Sequence, residues 1–220
     1  ADQVAGGKIL VKTLPAGSKF VTLDNKERTL EKNDLMICNA EEGMCIAGVF
    51  GGSKSGITAG TKNIFLESAC FSPDYVRKTS MHHQLKTDAS FRFERGTDPN
   101  ITVYALKRAS VLIKEIAGGL ISSEVIDIYP SPVKNRLIEV KDKNVNRLIG
   151  KIIPRDEIHA ILTRLDIEVS EKTAESYVVR VPPYRVDVTQ EADVVEEVLR
   201  IYGFNNIELS DTVHADYLAE

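Results

Sequence analysis

The sequence predicts an α+β fold in two domains, the first rich in strands with flanking helices and the second a small mixture of helices and strands. Short β-rich runs between turn residues fill the first hundred of the 220 residues, and helical spacing of apolar residues becomes clear only after them. A chain of this length suits one large domain or two small ones. We predict domains at 1–134 and 135–206, followed by a short tail at 207–220.

The composition excludes several classes of protein. Hydrophobic residues make up 43% of the chain and charged residues 27%, which is ordinary for a globular protein and excludes a disordered one. No apolar run approaches the roughly 18 residues that a membrane span requires, which excludes an integral membrane protein. The first residues lack the basic and apolar stretches of a signal peptide, so we expect a cytoplasmic protein.

The cysteines indicate the redox compartment of the protein, and the charge distribution limits its possible partners. Cys38, Cys45 and Cys70 lie in apolar runs and form no C-x-x-C pair, which predicts buried free thiols in a reducing compartment. Residues 1–134 carry 17 Lys+Arg and 15 Asp+Glu, a balance of +2, whereas residues 135–220 carry 11 and 17, a balance of −6. Neither part is basic enough for a non-specific polyanion binder, so we expect no DNA partner.

The elements of the first domain follow from its turn residues. Runs rich in β-branched and aromatic residues predict strands at 8–13, 19–23, 34–38, 44–50, 63–70 and 125–128. The run at 63–70 is almost continuously apolar, so we expect that strand to be buried. A helix is predicted from Asp98, which is a good N-cap before Pro99, to Gly118. A shorter helix is predicted at 77–84, and Pro130 and Pro132 mark a linker.

The second domain alternates between helices and strands. Its apolar spacing predicts strands at 136–140, 167–169 and 177–181, and helices at 143–150 and 154–165. A last helix, capped by Thr189, runs to Tyr202 before Gly203. About 70 residues are enough for a small α+β core.

The last helix carries a group of acidic residues on one face. Asp193, Glu196 and Glu197 are spaced i, i+3 and i+4, and Asp187 lies just before the helix. Stacked carboxylates repel one another unless a cation lies among them, and ligands that are all oxygen suit Mg²⁺. The alternative is a solvated helix face whose acids favour the N-terminal end of the helix dipole. On residue types alone the solvated face is the preferred interpretation.

Glu67 is the one ionisable residue in the apolar run at 64–71. A carboxylate buried there would need hydrogen-bond donors or would become neutral. It is either a recognition or acid–base group in a cleft, or a side chain that strand alternation turns to solvent.

A stretch at 87–96 is dense in small polar and charged residues. Its backbone N–H groups and hydroxyls could hold a polar ligand. It could equally be an ordinary loop in which Arg92, Glu94 and Arg95 pair with one another.

Several motifs together resemble one known family. In the first domain these are Gly48-Val-Phe-Gly51-Gly52, the run IFLESACF at 64–71, and the pattern TDASxRxERGxDP at 87–99. The second domain continues with NRLIG at 146–150, PYRxD at 183–187 and EExxRxYG at 196–203. In this order they are similar to the beta chain of bacterial phenylalanine–tRNA ligase, over nearly the whole sequence.

The resemblance implies a fold and a set of partners. Residues 1–134 would be most of the family's editing domain, and 135–206 the small α+β domain that is likened to winged-helix modules. The family enzyme is an α₂β₂ assembly that joins phenylalanine to tRNA(Phe) with ATP and Mg²⁺. Its alpha chain holds the aminoacylation site, so we expect no ATP binding here. The family chain is several times longer, which implies a fragment inactive in aminoacylation. The alternative is a non-catalytic module that binds tRNA or the other subunit.

The resemblance also implies site residues. Glu67 would accept a hydrogen bond from the hydroxyl of tyrosine wrongly attached to tRNA(Phe), and Gly51 and Ala89 would shape the pocket. Thr87 would hold the ester end or the attacking water. Asp187, Asp193, Glu196 and Glu197 would bind Mg²⁺ shared with the alpha chain, which reverses the preference for a solvated face.

Overall fold

The chain forms two units in this computed structural model, and the structure describes residues 1–208. The first unit is Ala1–Pro132, and the second begins at Val133. Both mix helices with antiparallel strands, which confirms the predicted α+β class. The predicted tail at 207–220 lies, from residue 209 onward, outside the described residues. Within 1–208, no helix combines the length and the apolar character needed to cross a membrane.

The first unit is built on two antiparallel sheets. Its strands are β1 (Leu10–Thr13), β2 (Lys19–Val21), β3 (Glu27–Thr29), β4 (Leu35–Cys38), β5 (Gly43–Ile46) and β6 (Phe50–Gly51). A four-stranded sheet has the order β1-β4-β5-β6, and β2 pairs with β3 as a separate hairpin. One core cluster includes Phe20, Leu30, Met36, Ile46 and Val76, all buried.

The predicted strand at 44–50 is interrupted by a turn. Gly48 has φ +67°, and a Cβ there would lie 2.9 Å from Phe71, 3.1 Å from Val76 and 3.2 Å from Phe93. A left-handed residue surrounded so closely can only be glycine. The run therefore folds back on itself as the β5–β6 hairpin, and Phe71 and Phe93 pack together beside it with ring centroids 5.1 Å apart.

Two predicted strands are wrong. Residues 63–70 form an extended segment without a strand ladder, and most of its side chains are exposed. Residues 125–128 form no strand either, and Ile126 and Ile128 are exposed. An apolar run becomes a strand only where a neighbouring backbone accepts its hydrogen bonds, and within residues 1–208 neither segment has such a neighbour.

Three helices complete the first unit: α1 (Pro73–His83), α2 (Asp88–Phe93) and α3 (Thr102–Ala117). The predicted helix at 77–84 is confirmed as α1. Helix α2 was not predicted, because the stretch at 87–96 has the composition of a loop. The third helix starts at Thr102, not at Asp98, because Oδ1 of Asp98 accepts a hydrogen bond from N of Asn100 in a turn.

A buried polar cluster links β4 to α1. Oδ1 of Asp34 accepts a hydrogen bond from Oγ1 of Thr79 at 2.7 Å, and Oδ2 lies 2.6 Å from Nε2 of His83. The backbone N of Glu31 also donates to Oδ2, at 2.8 Å. Asp34, Thr79 and His83 are all buried. The carboxylate is thus fully enclosed by donors, as a buried charge requires.

The cysteines differ from the prediction in their burial. All three are free, as predicted, but Cys38 is buried, Cys45 is half-buried and Cys70 is exposed. Cys70 lies at the end of the extended segment, where its sulfur accepts a hydrogen bond from Oγ1 of Thr97 at 3.4 Å. The expected burial of Cys70 rested on the strand at 63–70, which does not form.

The second unit follows the sequence pattern closely. Its elements are β7 (Arg136–Lys141), α4 (Asp142–Ile149), α5 (Arg155–Arg164), β8 (Glu168–Lys172), β9 (Ser176–Val181) and α6 (Glu191–Tyr202). The strands form an antiparallel sheet in the order β7-β9-β8. Its core includes Val140, Leu162, Ile167, Val179 and Val194. The three helices cover the apolar residues of this sheet, which explains how a small segment supports its own core.

Candidate functional site

The outer face of the four-stranded sheet carries a row of small and apolar residues. The register pairs Val11 with Ile37, Ile37 with Cys45 and Cys45 with Gly51. Directly paired residues project to the same face of a sheet, so these four form one row. The next residue, Ile46, faces the core. Val11 is 54% exposed, and the other three are half-buried.

Gly51 ends this row without a side chain. A Cβ on Gly51 would lie 2.8 Å from Cδ1 of Leu23. Leu23 is 48% exposed, so a small substitution could push it aside, whereas a large one would fill the surface next to Cys45. The side chain of Leu23 therefore covers the position that a side chain at Gly51 would take.

Glu67 lies on the extended segment that precedes α1. The side chain is exposed, yet the protein beside it removes enough water to raise the pKa of its carboxyl. Burial raises the pKa of the Cys45 thiol to about 12, and the negative charge of Glu67 contributes to that increase. The carboxylate therefore lies within electrostatic range of the Cys45 thiol. Within residues 1–208, no hydrogen bond joins Glu67 to Gly51, Thr87 or Ala89.

Thr87 connects helix α2 to the β5–β6 turn. Its Oγ1 accepts a hydrogen bond from N of Ser90 at 3.0 Å and donates one to O of Val49 at 2.8 Å. The hydroxyl of Ser90 accepts a hydrogen bond from N of Thr87, which completes a capping box. Ala89 is the second residue of the helix and is exposed. The second of these hydrogen bonds holds Thr87 at Val49, which lies two residues before Gly51 in the chain. Ala89 lies two residues after Thr87 and is exposed.

A cavity of about 400 Å³ lies elsewhere in the first unit. Its lining includes Lys19, Phe20, Met44, Gly52 and Lys54, and none of the four predicted pocket residues borders it. Met44 and Cys45 are consecutive on β5, so they project to opposite faces of the sheet. The candidate site therefore rests on Gly51, Glu67 and the start of α2, and not on this cavity.

In the second unit, α6 confirms the predicted arrangement of apolar and acidic residues only in part. Val194, Val195 and Val198 are buried, as predicted, but Glu197 is buried as well. Its Oε2 accepts hydrogen bonds from Nη1 of Arg185 at 2.9 Å and Nη2 of Arg200 at 2.5 Å. Because Glu197 lies between two guanidinium groups, it is not on the solvent face.

Asp193 is held by the start of the same helix. Its Oδ2 accepts hydrogen bonds from N and Oγ1 of Thr189 and from N of Gln190, at 2.7, 2.9 and 3.0 Å. These bonds, led by that from the Thr189 backbone, lower the pKa of Asp193. Thr189 was predicted to cap the helix. Asp193, the third residue of the helix, does so instead, because it accepts the hydrogen bonds of the residues before the helix.

The four predicted metal ligands are near one another in sequence, but they do not form a metal-binding cluster among the described residues. Asp187 and Glu196 are exposed, whereas one oxygen each of Asp193 and Glu197 is already bonded. Among residues 1–208, no three His, Cys, Asp or Glu side chains are arranged to hold a metal ion. The donor chemistry suits Mg²⁺, but two of the four, Asp187 and Glu196, are exposed and Glu197 is buried, so the described residues offer an incomplete ligand set.

Two residues of these sites were missed by the sequence analysis. Cys45 could have been found, because alternation along β5 puts it on the face opposite Met44 and Ile46. Arg185 lies in the PYRxD motif, and Nη2 donates to O of Leu165 at 3.2 Å in addition to its bond with Glu197. Nothing in the sequence spacing indicates that contact.

Comparisons with known proteins agree with the motifs. The family model of the B3/4 domain matches residues 1–118, and that of the tRNA synthetase B5 domain matches residues 138–204. The phenylalanine–tRNA ligase beta subunit of Bacteroides fragilis is 54% identical over 213 residues, which cover 97% of this chain and 26% of that protein. The corresponding subunit of Bacteroides thetaiotaomicron is 51% identical over 98% of this chain and 26% of its own length.

The chain thus spans about a quarter of the length of these relatives. A crystal structure of an N-terminal fragment of the phenylalanyl-tRNA synthetase beta-subunit from Pyrococcus horikoshii aligns with 89% of this chain and 56% of that one, at 16% identity and a TM-score of 0.45. The family matches and the close relatives confirm the resemblance that the motifs indicated. The chain belongs to the B3/4 domain family and carries a tRNA synthetase B5 domain after it.

Proposed function

We propose that this chain is a region of the beta chain of a phenylalanine–tRNA ligase, and that its first unit hydrolyses tyrosine wrongly attached to tRNA(Phe). The matches to beta subunits support the first part. One observation supports the second: Thr87 donates a hydrogen bond from Oγ1 to O of Val49, which holds the start of α2 at the turn before Gly51. The charge of Glu67 also acts on Cys45, the strand partner of Gly51.

The physical need for such a site is clear. Tyrosine is phenylalanine with one added hydroxyl, and an apolar pocket rejects an added hydroxyl by only about a hundredfold. A second site that binds the hydroxyl supplies the missing discrimination. The Glu67 carboxyl has a raised pKa, so its carboxylate is a stronger base and a better acceptor for the phenolic hydrogen. The surface between Glu67 and the start of α2 would receive the ring.

We assign the second wall of the proposed pocket to the start of α2. Ala89 is small and exposed, so it leaves room where a larger side chain would obstruct the ring. The hydroxyl hydrogen of Thr87 is directed to O of Val49, and its oxygen remains the group to orient the ester end or an attacking water. Hydrolysis needs no acyl-enzyme nucleophile, because oriented water and the terminal hydroxyls of the tRNA can carry it.

Replacing Glu67 by alanine should remove the preference for the tyrosyl ester. A hydrogen bond to a charged acceptor contributes about 1.5–3 kcal/mol, so the ratio of tyrosyl-tRNA to phenylalanyl-tRNA hydrolysis should fall roughly ten- to hundredfold. The measurement is deacylation of both esters by the complete beta chain with its alpha chain. Glu41→Ala, at an exposed glutamate of the same unit, is the matched control. An unchanged ratio in Glu67→Ala would mean that Glu67 does not bind the hydroxyl.

For the second unit we propose assembly with the alpha chain through shared Mg²⁺, within an α₂β₂ ligase whose ATP is used at the other subunit. Asp187 and Glu196 would be direct ligands, because both are exposed. Asp193 and Glu197 would contribute the oxygens Oδ1 and Oε1, since the hydrogen bonds described above all fall on Oδ2 and Oε2. An incomplete ligand set on a helix face fits a metal completed by a second chain.

Removing the two exposed carboxylates should weaken metal-linked assembly. The double variant Asp187→Asn/Glu196→Gln should lower the Mg²⁺-dependent affinity for the alpha chain by on the order of tenfold or more, because Mg²⁺ loses two hard oxygen ligands. Sedimentation of the mixed chains with Mg²⁺ and with EDTA measures this. Glu139→Gln, at an exposed glutamate on β7, should behave as the parent protein. If EDTA leaves the parent assembly intact, the metal is not part of the interface.

A further inference from the structure

We propose that the cavity bordered by the β4–β5 turn and the loop after β6 is a binding site for a free α-amino acid with an apolar side chain. The cavity measures about 400 Å³, which is within the range of small-molecule sites. It belongs to the first unit, and none of Gly51, Glu67, Thr87 and Ala89 borders it. A ligand bound there would serve a role beyond the proposed editing reaction.

One part of the cavity lining is apolar and closely packed. It consists of Leu14, Phe20, Val21 and Met44. Phe20 is buried, and its ring can take this position because Gly52 has no side chain: a Cβ there would lie 2.7 Å from Cζ of Phe20. This surface suits an aliphatic or aromatic side chain, whose burial here would remove apolar area from water.

Polar groups with unused hydrogen-bonding capacity border the same cavity. Oδ1 of Asn39 accepts hydrogen bonds from the backbone N of Glu41 and of Glu42 at 2.8 and 2.7 Å, which fixes the orientation of the amide. Its Nδ2 donates to O of Gln3 at 3.3 Å and has no second acceptor within residues 1–208, although Asn39 is buried. In the same range the hydroxyl of Ser53 makes no hydrogen bond. Because buried donors are normally satisfied, these groups indicate a ligand that supplies an acceptor such as a carboxylate.

A pair of opposite charges also borders the cavity. Nζ of Lys54 lies 2.8 Å from Oε2 of Glu42, and both residues belong to the lining. The two side chains are 79% and 51% exposed. An ion pair as exposed as this contributes little to stability, so it can open around a ligand at little cost.

The zwitterion of an α-amino acid carries the charges that complement this pair. Its carboxylate would accept hydrogen bonds from Lys54, Asn39 and Ser53, and its ammonium group would donate to Glu42. An anion without an ammonium group, such as the phosphate of a nucleotide, would instead place negative charge beside the carboxylate of Glu42, which like-charge repulsion opposes. The lining therefore favours an amino acid over a nucleotide.

L-Leucine should bind to this chain with a Kd of about 1 mM or lower. It is the probe because it has no phenolic hydroxyl to bind Glu67. An NMR titration gives the Kd, and saturable shifts are expected at the backbone amides of Glu42, Ser53 and Lys54. Isocaproate lacks the ammonium group and isoamylamine lacks the carboxylate, so each should bind about tenfold more weakly or worse. Equal binding of isocaproate, or the absence of saturable shifts with L-leucine, overturns the proposal.

Glu42→Gln and Lys54→Met should each raise the Kd of L-leucine by about tenfold or more, because each removes one member of the charged pair. Glu41→Gln and Lys62→Met, at exposed residues outside the lining, are the matched controls. The midpoint of urea unfolding should be nearly the same in all four variants, so that a loss of binding reports the site and not the fold. An unchanged Kd in either Glu42→Gln or Lys54→Met overturns the proposal.

Discussion

Replacing Gly48 by alanine should lower the free energy of unfolding of the first unit by about 2–5 kcal/mol. Two costs add at this position. Its φ is +67°, a left-handed conformation that is unfavourable for residues with a Cβ. The Cβ would also lie 2.9 Å from Phe71 and 3.2 Å from Phe93, so two packed rings would have to move. Overpacking of this kind is itself destabilising.

Gly118→Ala separates the two costs. Gly118 has φ +69° and no atom within 4 Å of an added Cβ, so this variant keeps the backbone cost and removes the steric one. It should be destabilised by only about 1–2 kcal/mol. Urea unfolding of the parent and both variants gives the free energies. Equal losses in Gly48→Ala and Gly118→Ala would show that the rings around Gly48 accommodate the methyl group.

Replacing Asp34 by alanine should cost about 3–5 kcal/mol of stability, because it breaks a buried and fully bonded carboxylate. The substitution leaves the hydroxyl of Thr79, Nε2 of His83 and the backbone N of Glu31 without their acceptor. Each group left unsatisfied in the interior carries its own desolvation cost. The midpoint of urea unfolding is the measurement, and a large fall is expected.

Asp127→Ala serves as the control for Asp34→Ala. Asp127 is an exposed aspartate of the same unit, and its loss should change stability by less than about 0.5 kcal/mol. The loss of stability in Asp34→Asn should lie between the losses in Asp34→Ala and Asp127→Ala, since the amide keeps an acceptor oxygen but cannot satisfy every donor. A loss for Asp34→Ala as small as that for Asp127→Ala would mean that solvent reaches the cluster.

The success of strand prediction depended on whether a partner strand was present. The runs at 34–38 and 136–140 became β4 and β7, along which buried and more exposed side chains alternate, and each has a ladder neighbour. The run at 63–70 has five apolar residues of eight, yet it forms no strand among the described residues. Composition reports the preference of a segment to be buried, whereas a strand also needs a second backbone at hydrogen-bonding distance.

The candidate site was predictable in its residue types but not in its geometry. Family motifs pointed to Glu67 and Gly51, and the sheet register places Cys45 beside Gly51. The burial of Glu197 could not be read from helical periodicity. Its neighbour Arg185 lies twelve residues earlier in the chain, outside the helix, and makes the position polar and buried at once. Periodicity assigns a residue to a face but cannot show what packs on that face.

The contact between Phe71 and Phe93 has an evolutionary consequence. Phe71 follows the segment that carries Glu67, and Phe93 ends the helix that carries Ala89, so this pair of rings joins the two segments to which we assign the proposed pocket. A change in the size of the substrate that the pocket accepts would then require substitutions in the protein interior. A lineage that enlarged the proposed pocket by altering either ring would lose thermal stability at the same time. Adaptation is therefore restricted to small exposed positions such as residue 89.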